Sequence, residues 1–533
     1  MNNFHFNLKN SFIFIIILIA IGAGLRLINI SEEEFWYDEI LSLTVSYYTD
    51  SIKDIILYTR EFYHPPLFYL IMRWWMFFFG YTEVSTRFFA LIFSVLIIPS
   101  IYYFGKKLFN NHQVGLMAAL FAAVSPLAVE YGQEARPYSL LAFLALWSFY
   151  FFWRFLTTSR RRHLFWASIL NLIGLYIHFD FFIPLVSQLL IVFILKIIAS
   201  RNPHYFRNQL ELWRDYSVFC GATFLLFLPW LLYSFIPNIT GVAYALKKSA
   251  PLITRIIFEG DFWFNISDSQ ERLQAVLVFI GHIAFGVALF FLFRNFFHKY
   301  KQQDKVYEMG SVIFIFLWYA ISIFVYLISP LSSMYTPKWQ RHIIFFSAPL
   351  YLMLSYGLTL IKVKWFQFAV LSGILISMAI PLIMVTRNDS EWSFGHKNKE
   401  YLAYIAENEE RGDLIFIPGT LWESLALYYY PGITPISSFL PLRGYNSITT
   451  RENYFLPALL EARYKYKRVP EDDYVGIEEL DQLTKPYKRV WLLFGNQTSP
   501  VLHWFIANWR FINCPEPFCP QVYLFENPKI NPN

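Results

Sequence analysis

The chain has 533 residues, of which 56% are hydrophobic and only 15% are charged, which excludes an ordinary soluble enzyme and leaves room for many membrane spans. The net charge of +6 does not indicate a nucleic-acid partner, because the basic residues stand in short clusters between apolar runs, as topology signals do. The sequence therefore predicts an integral membrane protein in contact with the lipid bilayer and without nucleic acid.

The first apolar run, from Phe12 to about Ile30, is long enough to cross a membrane. No small-x-small cleavage site follows it, so we interpret it as a retained helix rather than a signal peptide. In all there are about eleven runs of span length. They lie near residues 11–30, 88–105, 114–129, 138–156, 164–178, 181–198, 216–236, 274–293, 311–330, 342–361 and 366–386.

A further run, from Pro65 to Gly80, is short and carries Arg73, so it fits either a span or a helix that lies in the membrane interface. If it does not cross and the N-terminus is cytoplasmic, every basic cluster between the spans falls inside, which is the positive-inside pattern. We therefore interpret it as a juxtamembrane helix on the outer face. The segments predicted to lie outside are 31–87, 130–137, the turn at His178-Phe-Asp180, 237–273, 331–341 and everything after about residue 387.

After Arg387 the pattern becomes that of a soluble domain. Strands are predicted at 413–418, 489–494 and 522–525, and helices at 420–430 and 499–508. The sequence thus predicts a transmembrane domain at 1–386, whose outer loop is 31–87, and an extracytoplasmic α/β domain at 387–533. Cys514 and Cys519 have no His or Cys partners at zinc spacing, which favours a disulfide over a metal site.

Asp38 and Glu39 form an acidic pair directly after the first span. Acids in the first turn of a helix interact well with the helix dipole, and this is the simpler interpretation. The alternative is that a carboxylate at the outer interface acts as a general base or as a metal ligand.

His64 stands before Pro65 and Pro66, which hold it at the start of the next helix. An interfacial histidine that meets water would explain it equally well. Farther along the chain, one predicted outer loop carries Glu134, Arg136 and Tyr138. Two interpretations are open here, a salt bridge between Glu134 and Arg136 or the binding of a phosphate by Arg136.

The last basic outer loop carries Lys338 and Arg341. Both side chains could simply reach lipid headgroups, or they could bind an anion at the outer leaflet. A neutral substrate would not need these cations together with Arg136, whereas a phosphate anchored in the bilayer would.

The order of these motifs along the chain is similar to the order in a known protein family. An Asp-Glu pair follows the first span, and His-Pro-Pro-Leu-x-Tyr (64–69), Gln-Glu-Ala-Arg-Pro-Tyr (133–138) and a late basic loop come after it. Over roughly residues 10–385, the chain resembles the bacterial membrane glycosyltransferases that are related to protein O-mannosyltransferases and to the lipid A aminoarabinose transferase. These enzymes are similar to glycosyltransferase family 39. The resemblance implies a GT-C fold, an α-helical polytopic membrane protein with an extracytoplasmic catalytic cavity. It also implies a polyprenyl-phosphate-linked sugar as donor, an extracytoplasmic acceptor and the cell inner (plasma) membrane as location.

Carried over position by position, the resemblance makes Asp38 the catalytic base or the acid that orients the acceptor, with Glu39 as its partner. His64 takes the place where some relatives have a lysine that contacts the lipid phosphate. The residues expected to bind the donor phosphate are His64, Arg136, Lys338 and Arg341, and those expected to shape the site are Glu134, Tyr138 and Tyr69.

One position departs from the aminoarabinose-transferase branch, in which an acid that takes part in metal binding precedes the Lys-Pro pair. Tyr63 stands there in this chain. We therefore expect that no metal is required, although a divalent metal is left open. A single base and a stabilised phosphate leaving group predict direct displacement with inversion at the sugar.

The main alternative is a transporter or flippase of a lipid-linked anion, and a non-catalytic scaffold is a third. Transporters usually show repeats and broken helices with charged residues at mid-span, and the sequence shows neither. A scaffold does not explain why acids and guanidinium groups gather on one face.

Overall fold

The computed structural model describes most of the transmembrane part of the chain and about half of the C-terminal part. The described residues are 8–47, 49, 51–61, 64–201, 209–235, 280–281, 283–295, 306–328, 339–387, 398–417, 428–429, 436–439, 446–449, 480–481, 484–493, 500–515, 519 and 522–530. The chain divides into two compact units, residues 1–33 with 62–393, and residues 34–61 with 394–533.

Helices dominate the described chain. In order they are α1 (Leu8–Leu27), α2 (Tyr37–Tyr47), α3 (Ile52–Glu61), α4 (Leu67–Phe79), α5 (Glu83–Phe109), α6 (His112–Val124), α7 (Pro126–Glu130), α8 (Tyr138–Thr158), α9 (Arg161–Ile177), α10 (Phe182–Arg201), α11 (Gln209–Phe235), α12 (Ile283–Asn295), α13 (Val306–Ile328), α14 (Ser347–Thr359), α15 (Lys364–Arg387), α16 (Asn398–Asn408) and α17 (Pro500–Asn508). Two 3₁₀ helices, Phe179–Phe181 and Trp339–Phe346, precede α10 and α14.

The first unit is a polytopic helical bundle, as the apolar runs predict. Among the described residues, seven helical segments are long and apolar enough to cross a membrane, and shorter apolar helices accompany them. Where the structure describes them, the predicted runs are helical except for a few residues at their ends and for Ser125, which separates α6 from α7 within the run 114–129. The short run after Pro65 forms α4, which has only 13 residues. On α4, Trp74, Phe77 and Phe78 are exposed on one face, as lipid contact requires.

Small residues let α5 and α6 approach closely. A Cβ atom on Gly115 would collide with the Tyr102 carbonyl, and one on Gly105 would lie 3.2 Å from the Cα of Gly115. Close packing of this kind replaces the hydrophobic effect as the force that joins helices in lipid. Elsewhere in the bundle, Trp318 of α13 stacks on Phe149 of α8 with 4.1 Å between ring centroids.

A closed hydrogen-bond triangle joins three helices inside the bundle. The hydroxyl of Ser148 donates to Asn171 Oδ1 (2.6 Å), Asn171 Nδ2 donates to Gln188 Oε1 (2.9 Å), and Gln188 Nε2 donates back to Ser148 Oγ (2.8 Å). Because each member finds partners in the other two, the polar atoms are satisfied within the apolar interior. The triangle therefore fixes α8, α9 and α10 against one another.

The second unit contains a six-stranded sheet in the order β3-β2-β1-β4-β6-β5. The strands are β1 (Asp413–Ile417), β2 (Ile436–Phe439), β3 (Asn446–Thr449), β4 (Arg489–Leu493), β5 (Arg510–Asn513) and β6 (Val522–Glu526). Of the pairs between the described strands, β1–β2 and β1–β4 are parallel and the other three are antiparallel. Alternate residues of β1, β4 and β6 enter two apolar clusters, one with α16 and one with α17, so helices cover both faces of the sheet.

The strands predicted at 413–418, 489–494 and 522–525 correspond to β1, β4 and β6, and the helix predicted at 499–508 to α17. Most of the predicted helix 420–430 lies outside the described residues. Cys514 and Cys519 form a disulfide, as their isolation from metal-ligand patterns suggested.

The segment 31–87 is divided between the two units. Residues 34–61 cluster with the C-terminal residues. Phe35 explains this, since its amide donates to the Tyr429 hydroxyl (2.7 Å) and its ring packs edge-on against Tyr428 with 5.2 Å between centroids. Glu34 adds a hydrogen bond from the Lys399 amide to its carboxylate at 2.7 Å.

Candidate functional site

Ionisable and aromatic side chains gather in the first unit where four segments meet. The segments are the start of α4, the loop between α7 and α8, and the two 3₁₀ helices. The cluster consists of His64, Tyr131, Arg136, Tyr138, His178, Asp180, Arg341 and His342.

Two guanidinium groups lie near the ring of Tyr138. The Arg136 Cζ is 5.9 Å and the Arg341 Cζ is 5.8 Å from the centroid of its ring. Both distances are within the range of cation–π attraction, which partly offsets the repulsion of the two cations. The structure therefore brings together the two arginines among the four residues expected to bind the donor phosphate.

The loop that carries Arg136 is fixed by hydrogen bonds to its backbone and to α1. The Arg136 amide donates to the Glu134 carbonyl at 2.7 Å, and the Ser139 hydroxyl donates to the Tyr131 carbonyl at 2.7 Å. Gln133 donates from Nε2 to the Ile28 carbonyl at 2.6 Å. These contacts hold Arg136 and Tyr138 in place, and the Glu134 side chain is buried beside them.

His64 joins the same cluster from the start of α4. Its ring centroid is 5.3 Å from that of His178 and 6.1 Å from that of Tyr69. Burial lowers the pKa of His64 well below its ordinary value, and the nearby His178, Arg136 and Arg341 lower it further. At neutral pH His64 is therefore uncharged, and it would meet an anion as an N–H donor rather than as a cation.

Asp180 is a central member of the cluster that was not predicted as a site residue. It is fully buried, and its Oδ2 lies 2.7 Å from Nδ1 of the buried His342. Nδ1 of His178 lies 3.2 Å from the Asp180 amide nitrogen and 3.3 Å from Asp180 Oδ1. The sequence held one signal for these residues, namely their position on two segments predicted to face outside.

A glycine in α9 allows the Asp180 turn to form. A Cβ atom on Gly174 would collide with the ring of Phe181, which packs against the helix at this point. His178 ends α9 in an extended conformation and its amide donates to the Gly174 carbonyl at 2.9 Å. The turn that carries Asp180 thus depends on a residue without a side chain one helical turn earlier.

The acidic pair belongs to the second unit, where it begins α2. Both acids lie in the first turn of the helix. Glu39 is 1% exposed, and its Oε2 accepts a hydrogen bond from the Trp36 amide at 3.3 Å, which is one half of a capping box. Asp38 is partly buried, and its carbonyl accepts from the Ser42 hydroxyl at 2.9 Å. Glu39 therefore helps to start the helix on which Asp38 is placed.

Two further expectations concern Lys338 and metal binding. Lys338 lies outside the described residues. Within the part of the chain that the structure describes, no group of three or more His, Cys, Asp or Glu side chains is arranged to hold a metal ion.

Comparisons with known proteins agree with this architecture. Residues 63–210 match the family model for dolichyl-phosphate-mannose-protein mannosyltransferase. The structure resembles ArnT from Cupriavidus metallidurans in its apo state, with a TM-score of 0.58, 10% identity, and coverage of 97% of this chain and 98% of ArnT. The same protein bound to undecaprenyl phosphate gives a TM-score of 0.54, 10% identity, and coverage of 96% and 97%.

The protein has the fold of the GT-C glycosyltransferases. Its likeness to the Archaeoglobus fulgidus oligosaccharyltransferase is weaker, with a TM-score of 0.48, 13% identity and coverage of 80% of this chain, which spans 64% of that protein. The comparison with curated protein sequences gave no match. The GT-C assignment confirms the predicted multi-pass membrane fold with its small C-terminal sheet domain.

Proposed function

We propose that this GT-C protein transfers a sugar from a polyprenyl-phosphate donor to an extracytoplasmic lipid, glycan or protein, with inversion at the sugar. The observation that carries the proposal is the meeting of Arg136 and Arg341 on the ring of Tyr138. Two guanidinium groups near one ring suit a phosphate, to which each can donate paired hydrogen bonds. The fold adds support, because the ArnT structure that it resembles was determined with undecaprenyl phosphate bound.

In this proposal the arginines act on the leaving group. As the bond between the sugar and the phosphate breaks, negative charge develops on the phosphate, and fixed cations stabilise it more than they stabilise the intact donor. His64 contributes an uncharged N–H donor, since burial lowers its pKa. Lys338, Glu134, Tyr138 and Tyr69 keep their proposed roles in binding the phosphate and shaping the site.

Asp38 is the proposed base that accepts the proton of the acceptor, and Glu39 is its support. The hydrogen bond from the Trp36 amide to Glu39 fits the supporting role, because it fixes the first turn of α2. We propose that the reaction needs no metal.

The test compares cells that lack the protein with cells that carry the wild type, Asp38→Asn or the matched control Asp54→Asn. Asp54 is also an acid in the first turn of a helix of the same unit. We expect Asp38→Asn to reduce transfer by about 10²–10⁴-fold, the usual contribution of a general base, while Asp54→Asn transfers normally. Mass spectrometry of envelope glycans and polyprenyl-phosphate sugars measures the lost product and the accumulated donor together.

Normal transfer by a folded Asp38→Asn variant would remove Asp38 as the base. A transporter or flippase of a lipid-linked anion predicts a different outcome. In that case the wild type would move the sugar lipid across the membrane with its sugar–phosphate bond intact, and no new glycosidic product would depend on the protein.

A further inference from the structure

We propose that Asp180 and His342 are positioning residues, which orient the Arg341 guanidinium through a chain of two hydrogen bonds. This inference rests on the proposed function, in which Arg341 binds the donor phosphate. The chain runs from the Asp180 carboxylate through the imidazole of His342 to Nε of Arg341.

The donors and acceptors in this chain can be assigned. A carboxylate only accepts, so His342 Nδ1–H donates to Asp180 Oδ2 at 2.7 Å. A guanidinium only donates, so Arg341 Nε–H donates to His342 Nε2 at 3.4 Å. Both assignments hold only for the neutral imidazole with its proton on Nδ1. The Asp180 carboxylate selects this form because it accepts the proton on Nδ1. A proton on Nε2 would instead face the N–H of Arg341.

Two contacts therefore hold the guanidinium group of Arg341. The hydrogen bond to His342 fixes its Nε edge, and the ring of Tyr138 lies 5.8 Å from its Cζ. An arginine that is not already ordered loses side-chain entropy when a ligand orders it. An arginine that is already ordered binds a phosphate without this cost.

Unlike a surface ion pair, this chain of hydrogen bonds is buried. Asp180 is 0% exposed and His342 is 4% exposed, and a carboxylate in such a place is costly unless it is neutralised by close partners. Asp180 has close partners on both of its oxygens, because Oδ2 lies 2.7 Å from Nδ1 of His342 and Oδ1 lies 3.3 Å from Nδ1 of His178. A side chain that served only to join two helices would not need a charge here, whereas one that sets the tautomer of His342 would.

The test measures binding of undecaprenyl phosphate to the full-length protein in nanodiscs, with undecaprenol as the probe that lacks phosphate. In Asp180→Asn, the amide can donate to His342 Nδ1, which moves the proton of the ring to Nε2 and opposes the N–H of Arg341. We expect Asp180→Asn to weaken binding of the phosphate about tenfold, the value of one hydrogen bond to a charged group, and to leave undecaprenol binding unchanged.

A double-mutant cycle decides whether Asp180 acts through Arg341. In an Arg341→Gln background, Asp180→Asn should have almost no further effect, because the group that it orients is gone. An equal loss in both backgrounds would overturn the proposal. Asp215→Asn is the matched control, since Asp215 instead pairs with the exposed Arg161 at 2.7 Å, and it should bind the phosphate as the wild type does.

Further outcomes are informative about folding and about the proposed function. If Asp180→Asn does not fold, His342→Gln takes its place in the cycle, and failure of both variants to fold would show a purely structural role and overturn the proposal. If the wild type binds undecaprenyl phosphate no better than undecaprenol, the phosphate site itself is wrong. If Arg341→Gln weakens phosphate binding but the cycle shows no coupling, only the positioning role is wrong.

Discussion

Tyr138 is the residue on which the candidate anion site converges. Its ring contacts Arg136 from its own loop and Arg341 from a distant segment, and it packs edge-on against His178 with 5.9 Å between centroids. An aromatic face is suited to this position, because it attracts cations without neutralising them as a carboxylate would. The ring thus adds a cation–π attraction to both guanidinium groups.

Removal of this ring should weaken the site, whereas removal of its hydroxyl should not. We expect Tyr138→Leu to reduce the affinity for undecaprenyl phosphate about fivefold, which corresponds to about 1 kcal/mol of cation–π attraction. Tyr138→Phe keeps the aromatic face and should bind within about twofold of the wild type. Titration of both variants in nanodiscs checks this. Equal losses in the two variants would assign the effect to the hydroxyl instead.

At the scale of elements, α1 ends in a junction that supports the site. Arg26 is buried and donates from Nη1 to the Ala123 carbonyl (3.0 Å) and from Nη2 to the Ala122 carbonyl (3.1 Å), both in the last turn of α6. A cation suits the carbonyl end of a helix, where the dipole is negative and the carbonyls lack partners within the helix. The Arg26 carbonyl in turn accepts from Gln133 Nε2 at 3.2 Å, so the same junction holds the loop of Arg136.

Arg26→Met should therefore destabilise the bundle. The substitution keeps an apolar side chain of similar length but leaves buried carbonyls without donors, at a cost of at least about 2 kcal/mol. We expect a lower midpoint of thermal unfolding in detergent. Arg160→Met is the control, because Arg160 is exposed and forms no side-chain cap of α9. Equal midpoints for the two variants would contradict the role of Arg26.

At the scale of the whole molecule, the two units differ in their surroundings. The first exposes apolar side chains along membrane-length helices, and the second has an α/β core and a disulfide between Cys514 and Cys519. Disulfides persist in oxidising compartments. Together with the basic loops that the sequence predicts to lie inside, this supports the proposal that the N-terminus is cytoplasmic and the C-terminal domain is extracytoplasmic.

Labelling in sealed, right-side-out membrane vesicles tests this orientation. Single cysteines are introduced at Lys529, whose side chain is 65% exposed, and at the exposed Arg162, in a Cys220→Ser background that leaves the disulfide intact. We expect an impermeant maleimide to label Lys529→Cys directly and Arg162→Cys only after the vesicles are opened. The reverse pattern would mean that the number of spans has the wrong parity.

The sequence by itself determined the parts of this protein that depend on neighbouring residues. Membrane-length helices follow from the length and composition of each apolar run, and β1, β4 and β6 follow from short apolar segments, since both signals are local. The motif order around Asp38, His64 and Arg136 also pointed to the GT-C fold that the structure has.

Only the tertiary structure decided which distant residues meet. Asp180 and His342 are 162 positions apart in the chain, and no local pattern links them. The contact of Arg341 with Tyr138 likewise depends on how α8 and the second 3₁₀ helix pack. Residues 34–61 belong to the second unit because Phe35 packs against Tyr428 and donates a hydrogen bond to Tyr429. Periodicity and charge show which face of a helix is buried, but packing of side chains from separate segments selects the partner that covers it.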